Sequence, residues 1–135
     1  MSVIDILGLI RSALVEHGSD PQLLNGIDQH STITLDFVDA PSINISCAEH
    51  DIWLWSPLGD IQQNALNFHA TEILPMLMQD CYFARGGQIR LMQGSDGLEL
   101  QLIVHPDYLG DGAQFSEVIN GFYRKIRHFR EVLMR

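Results

Sequence analysis

The sequence predicts an α+β domain in the order α-β-β-β-α-β-β-α, built on a twisted, mainly antiparallel five-stranded sheet. Three observations lead there. Apolar and polar residues alternate in several short runs, the period of half-buried strands. Turn residues join those runs closely enough to make neighbours antiparallel. Helical spacing occupies the start, the middle and the end of the chain. The 135 residues fit one domain, residues 1–135, and 46% apolar with 19% charged is a globular composition.

Each element has its own signal. Ser2 with Asp5 three residues later resembles a capping box, and the apolar helix that follows runs to about His17, before Gly18 and Pro21. Ile33, Leu35 and Phe37 alternate with Thr32, Thr34 and Asp36 in strand one, and Ala40-Pro41 breaks it. Ile43, Ile45 and Cys47 alternate in strand two. Glu49-His50-Asp51 turns into strand three, Ile52 to Trp55, which Ser56-Pro57-Leu58-Gly59 ends. A helix is expected from about Gln62 to Asp80. Strand four is expected over Gln88 to Met92, with Gly94-Ser95-Asp96-Gly97 as a hairpin turn. Leu98, Leu100, Leu102 and Val104 form the inward row of strand five. Asp111, with Gln114 three residues on, starts a last helix reaching about Met134.

The helices differ in how much apolar surface they carry. The last has one compact stripe, Phe115, Val118, Ile119, Phe122, Ile126, Phe129 and Leu133, and a charged opposite side. The first has a core stripe of Val3, Leu7, Ile10 and Leu14, flanked by a second row of Ile6, Leu9 and Ala13. The middle helix has Leu66, Ala70, Ile73 and Leu77 on one side and further apolar residues, Phe68, Leu74, Met76 and Met78, beyond that stripe. A domain this small has little room to enclose two such helices. The surplus predicts two extra apolar contacts, one for each helix, at least one of them with another chain. The middle helix, through Phe68, Leu74, Met76 and Met78, is the expected homodimer face. Wide core faces on both helices are the plainer alternative.

Charge excludes some classes of function. Seventeen acids against eight bases give a net charge of −9. Five of the bases, Arg124, Lys125, Arg127, Arg130 and Arg135, lie in the last twelve residues against Glu131 alone. That tail carries +4 and the rest −13. A body this acidic repels phosphate backbones and anionic lipid, so neither nucleic acid nor membrane is an expected partner. No apolar run is long enough to span a bilayer. Met1 to Ile10 has Asp5 and no basic residue, unlike a secretory leader, and Cys47 and Cys81 read as reduced thiols. The expected location is the cytoplasm.

The search for catalytic chemistry is negative. No glycine-rich phosphate loop, G-x-S-x-G or H-E-x-x-H occurs. The six histidines are scattered and none pairs with a cysteine at zinc-finger spacing. His69 and Glu72 share a helix face and read as a polar stripe, a metal site at a dimer axis being the sharper alternative. His105-Pro106-Asp107 reads as turn geometry more than as an acid/base pair. Cys81 would need a cation to become a nucleophile, and Arg85 is the one nearby in sequence. No metal, no cofactor and no enzymatic activity are expected. Trp53 and Trp55 share one face of strand three, with Ile52 and Leu54 on the other, so one of those faces needs a cover or a partner.

Several stretches carry a family resemblance. They are Gly26 to Ile33, Ala40 to Ser46, Trp53-Leu54-Trp55, Cys81 to Gln88, Val104 to Leu109, Asp111-Gly112 and Asn120 to Tyr123. In their order and spacing the chain resembles the small type III secretion chaperones of the InvB/SpaK type, which serve several effectors. Pro75, inside the middle helix, departs from the pattern. The resemblance implies a cytoplasmic homodimer with no ATPase activity of its own. It would bind the N-terminal segments of effector proteins in extended form, keep them soluble and non-globular, and bring them to the ATPase of the secretion apparatus. The resemblance also implies dimerisation through the middle helix and nearby strands, and client contact through the first helix and the sheet. The expected effector-binding residues are Ile6, Leu9 and Ala13, the exposed side of strand one (Thr32, Thr34 and Asp36, as an edge strand), and Trp53 and Trp55. The alternative function is a small dimeric α+β ligand-binding or regulatory protein. It calls for one enclosed pocket, where a chaperone calls for shallow apolar patches and an open strand edge.

Overall fold

A computed structural model describes residues 6–16, 32–62 and 64–135, without the side chains of Ile6, Leu14 and Glu16. The expected Ser2–Asp5 cap, Val3, the end of the first helix and the Gly26–Ser31 stretch lie outside the described residues. The elements are α1 (Ile6–Glu16), β1 (Ile33–Leu35), β2 (Ile43–Ala48), β3 (Asp51–Pro57), α2 (Ala65–Met78), β4 (Arg90–Gly94), β5 (Gly97–Ile103) and α3 (Gly112–Leu133). The order is the expected one. A 3₁₀ turn, Pro106–Tyr108, is added where the sequence indicates a loop. β1 ends at Leu35, before Phe37, and β4 starts two residues later than expected.

The strands lie in the order β1-β2-β3-β5-β4, and every neighbouring pair is antiparallel. Among the described residues β1 and β4 are therefore the sheet edges, which agrees with β1 as an edge strand. Two tight turns fix the register. Glu49 and His50 join Ala48 to Asp51, both at positive φ (53° and 69°), as a turn twisted like its strands requires. Ser95 and Asp96 join Gly94 to Gly97. The Arg85 guanidinium grips both oxygens of Asp51 and ties the chain ahead of β4 to the first of these turns.

One face of the sheet is the core. Along β3, Ile52, Leu54 and Ser56 are buried while Asp51, Trp53, Trp55 and Pro57 are not. Ile33, Ile45, Leu54 and Leu102 form a buried row straight across four strands. α3 lies against this layer with the expected stripe, Phe115, Val118, Ile119, Phe122, Ile126, Phe129 and Leu133, all buried, plus Val132. Each such side chain contributes roughly 1.5–3 kcal/mol of transfer free energy. Asp111 caps α3, its carboxylate accepting from the Gln114 amide at 2.8 Å.

Two glycines let other parts reach α3. A Cβ on Gly112 would sit 2.1 Å from the Ser12 Cβ and 2.7 Å from its backbone carbon, so α1 crosses the start of α3 nearly backbone to backbone. A Cβ on Gly121 would meet the Phe83 ring at 2.5 Å. Farther along α3, Arg130 donates to the Leu58 carbonyl beyond β3.

The β1–β2 connection is clipped to α3. Tyr123 donates its hydroxyl to Asp39 at 2.5 Å, Arg127 lies 3.3 Å from the same carboxylate, and Phe37 packs on the Tyr123 ring. The Tyr123 hydroxyl, then the Arg127 charge, hold the Asp39 carboxyl below its ordinary range, with burial opposing. Asp39 in turn holds the Tyr123 hydroxyl above its own.

Gly112→Ala forces α1 off α3 and should destabilise the protein by about 1–3 kcal/mol, the usual cost of overpacking. Thermal melting should show a Tm several degrees lower; an unchanged Tm contradicts the crossing. The clip is pH-bounded. The stability that Asp39 lends is present above its unfolded pKa and lost as pH falls through its lower folded pKa. That of the Tyr123 hydroxyl is present below its unfolded pKa and lost as pH rises through its higher folded one. In urea unfolding, the advantage of the parent over Asp39→Asn should be largest between about pH 5 and pH 9 and shrink on both sides. A difference independent of pH refutes the clip.

Candidate interaction surfaces

The other face of the sheet is open. Strand register sets its side chains in rows. Trp55 stands between Asn44 and Gln101, with Thr34 beyond Asn44 and Arg90 beyond Gln101. Trp53 stands between Ser46 and Ile103. Both tryptophans are half-buried by their neighbours alone, and among the described residues no element is buried against them. A recess of about 280 Å³ lies there, lined by Ser46, Ala48, Trp53, Trp55 and Gln101. The alternation in β3 places the two rings together. It also puts Ile52 and Leu54 in the core, so the face that the described elements leave uncovered is the one with the rings.

The β1 edge adjoins this surface. Thr32, Thr34 and Asp36 are all exposed. Thr34 donates to the Asn44 side chain at 2.8 Å, and Asp36 accepts from the Ser42 hydroxyl at 2.5 Å. Both bonds brace the edge and leave the polar side chains outward.

On α1 the flanking row is divided. Ala13 is buried (5% exposed) with Ile10, and Leu9 is partly buried against the core; the side chain of Ile6 is outside the described residues. Ala13 therefore belongs to the core and not to an exposed row. The cause is the close crossing over Gly112, which turns a wider arc of α1 inward. Val15, 60% exposed, and Val38, fully exposed, are apolar surface residues that the sequence reading missed. Neither belongs to a row, so periodicity holds no signal for them.

On α2 the buried row is Ala65, Ile73 and Met76, with His69 mostly covered on the same side. The expected stripe is thus rotated by less than one residue. Leu66 and Leu77 are half-buried flanks and Ala70 is exposed. Met76 is core in this chain, a correction to its place at a dimer face. Phe68, Leu74 and Met78 do stand outward, at 79%, 60% and 68% exposed. Glu72 is the one charged residue on this helix, and Arg135 holds it at 2.9 Å. α2 continues through Pro75, which is exposed three residues from the helix end. The carbonyl of Thr71, deprived of a partner by the proline, belongs to an exposed residue within reach of water. A cleft of about 460 Å³ beside Phe68 is lined also by Asp60, Ala65, His69, Leu133 and Arg135.

The residues considered for chemistry stay apart. Cys81 is buried, and burial pushes its thiol pKa up, which opposes a thiolate. Arg85, its expected activator, is engaged by Asp51. The Nδ1 of His105 accepts from the Asp107 amide at 3.1 Å and caps the 3₁₀ turn. His69 lies 3.6 Å from Glu72, and among the described residues no three potential metal ligands come together. No described helix is long and apolar enough to cross a membrane.

Comparison with known proteins follows the same lines. Residues 18–95 match the model of the invasion protein B family. Over all 135 residues the chain is 47% identical to surface presentation of antigens protein SpaK of Salmonella typhimurium strain LT2, with 100% of both chains covered. The SpaK of Salmonella typhi gives the same identity and coverage. The fold is similar to a chain in the structure of the heterodimeric complex ExoU-SpcU from the type III secretion system of Pseudomonas aeruginosa. The TM-score is 0.61 at 14% identity, over 91% of this chain and 96% of that one.

The orientation of α2 is directly testable. Met76→Ala should cost about 2–5 kcal/mol, as core truncations do, whereas Ala70→Ser should leave the urea midpoint within error. The opposite ranking would restore the stripe expected from the sequence.

Proposed function

The chain belongs to the invasion protein B family, and from that premise we propose that it is a cytoplasmic type III secretion chaperone. It binds the N-terminal segments of effector proteins, keeps them soluble and non-globular, and delivers them to the secretion apparatus, where the ATPase is the receiving component. The observation that carries this reading is the open sheet face with Trp53 and Trp55 side by side on it. An extended client lays apolar side chains on such a face and pairs its backbone with a free strand edge. Thr32, Thr34 and Asp36 mark that edge, and Ile6 and Leu9 extend the client surface onto α1. Ordering a disordered segment costs a few kcal/mol, so the client must cover a wide area, which shallow patches supply. Holding a segment makes and breaks no bond, and no metal, cofactor or catalytic residue enters.

The working form is a homodimer. Phe68, Leu74 and Met78 project from a helix face with no unpaired charge, the surface that a second copy would cover. Burying each contributes roughly 1.5–3 kcal/mol before the cost of association.

One pair of variants separates the two surfaces. Phe68→Asp should yield a folded monomer in sedimentation. Trp55→Asp should stay dimeric and lose co-purification with effector N-terminal segments, since burying an unpaired carboxylate costs several kcal/mol. A dimeric Phe68→Asp would refute the α2 interface. Undiminished effector capture by Trp55→Asp would remove the sheet face from the client site.

A further inference from the structure

A third surface lies away from both of these, where the chain leaves α2. Tyr82 is 56% exposed although three groups touch it. Phe83 meets its ring edge-on at 5.4 Å between centroids, and Tyr108 leans against it at 5.7 Å and 49°. The carboxylate of Glu117, on α3, stands 3.5 Å from its hydroxyl. His105 packs perpendicular to Tyr108, and its Nδ1 accepts the Asp107 amide proton. Asp107, beside it, is 83% exposed.

The electrostatics of the cluster are one-sided. Burial first, then Glu117, the neighbouring Tyr82 hydroxyl and Asp107, push the Tyr108 hydroxyl pKa up, and no cation opposes them. Four carboxylates elsewhere do have an arginine: Arg127 for Asp39, Arg85 for Asp51, and Arg135 for Glu72 and Glu131. Among the described residues Glu117 and Asp107 have no Lys or Arg partner. An open aromatic ring with a carboxylate at its rim is the arrangement that binds a cation through both the ring quadrupole and charge.

We propose that the notch formed by Tyr82, Tyr108 and Glu117 receives an arginine side chain of a bound polypeptide. Arginine fits better than lysine. Its planar guanidinium can lie on the Tyr82 ring while its edge donates to Glu117; an ammonium offers only a point charge. The acidic body of the chain draws basic segments toward it. The inference rests on the reading that this protein holds extended polypeptides, and it adds what such a segment must carry.

The test uses the whole protein and a small probe, so it does not depend on any effector. N-acetylarginine amide is titrated in while the tyrosine ring signals are followed by NMR. N-acetylcitrulline amide, of the same shape without the charge, is the control. The arginine probe should shift the Tyr82 and Tyr108 signals saturably, and Glu117→Gln, an exposed and conservative change, should weaken it about two- to fivefold. High salt should weaken it as well. No saturable shift, or equal shifts from the citrulline probe, overturns the proposal. If the arginine probe binds and effector segments do not, the chaperone reading fails and the site stands. If effector segments bind and the arginine probe does not, the site fails alone.

Discussion

A sheet has two faces, and the helices of this chain bury one of them. α3 is the reason. Its 22 residues present a single apolar stripe, which fills the space over the central strands. α1 then has to pack along α3 instead of lying across the sheet, and Gly112 is what lets it come so near. α2 packs on the far end of α3, where Arg135 reaches Glu72. With the three described helices tied to one layer, no described element covers the opposite face. The half-buried tryptophans on an uncovered face, the β1 edge left unpaired among the described residues, and the outward apolar residues of α2 all follow from that division.

The parts legible in the sequence were those with a single periodic solution. The stripe of α3 has no competing arc, and Asp111 with Gln114 marked its start. β3 was readable because both of its faces are apolar and its length is that of a strand. The row of α2 was not. The apolar residues Ala65, Leu66, Phe68, Ala70, Ile73, Leu74, Met76, Leu77 and Met78 nearly encircle the helix, so two overlapping arcs fit equally well. Docking on α3 selected the one through Met76. Ala13 was misplaced for a related reason, since its burial depends on a backbone contact between Ser12 and Gly112 that no periodicity encodes. Tyr82, Tyr108 and Glu117 come from three separate stretches. Only the folded turns beside β5 bring them together.

Family membership and geometry bear on different questions. A 47% identity over the full length places the chain among invasion protein B relatives. It says nothing about which side chains meet a client. The geometry supplies candidates with distinct chemistry: an aromatic platform on the sheet, a polar edge strand, an uncharged helix face and an acidic aromatic notch. None resembles an enclosed binding pocket, and the buried Cys81 and the turn-capping His105 are occupied with structural tasks.

The central claim is that the uncovered sheet face holds the client. Trp53 and Trp55 are the two tryptophans of the chain and both lie on that face, so intrinsic fluorescence reports on it without any label. Acrylamide quenching should be efficient in the free protein and fall sharply when an effector N-terminal segment is bound, with a blue shift of emission. Bound segment with unchanged quenching and unchanged emission would contradict the account, because the client would then lie on a surface that leaves both rings in water.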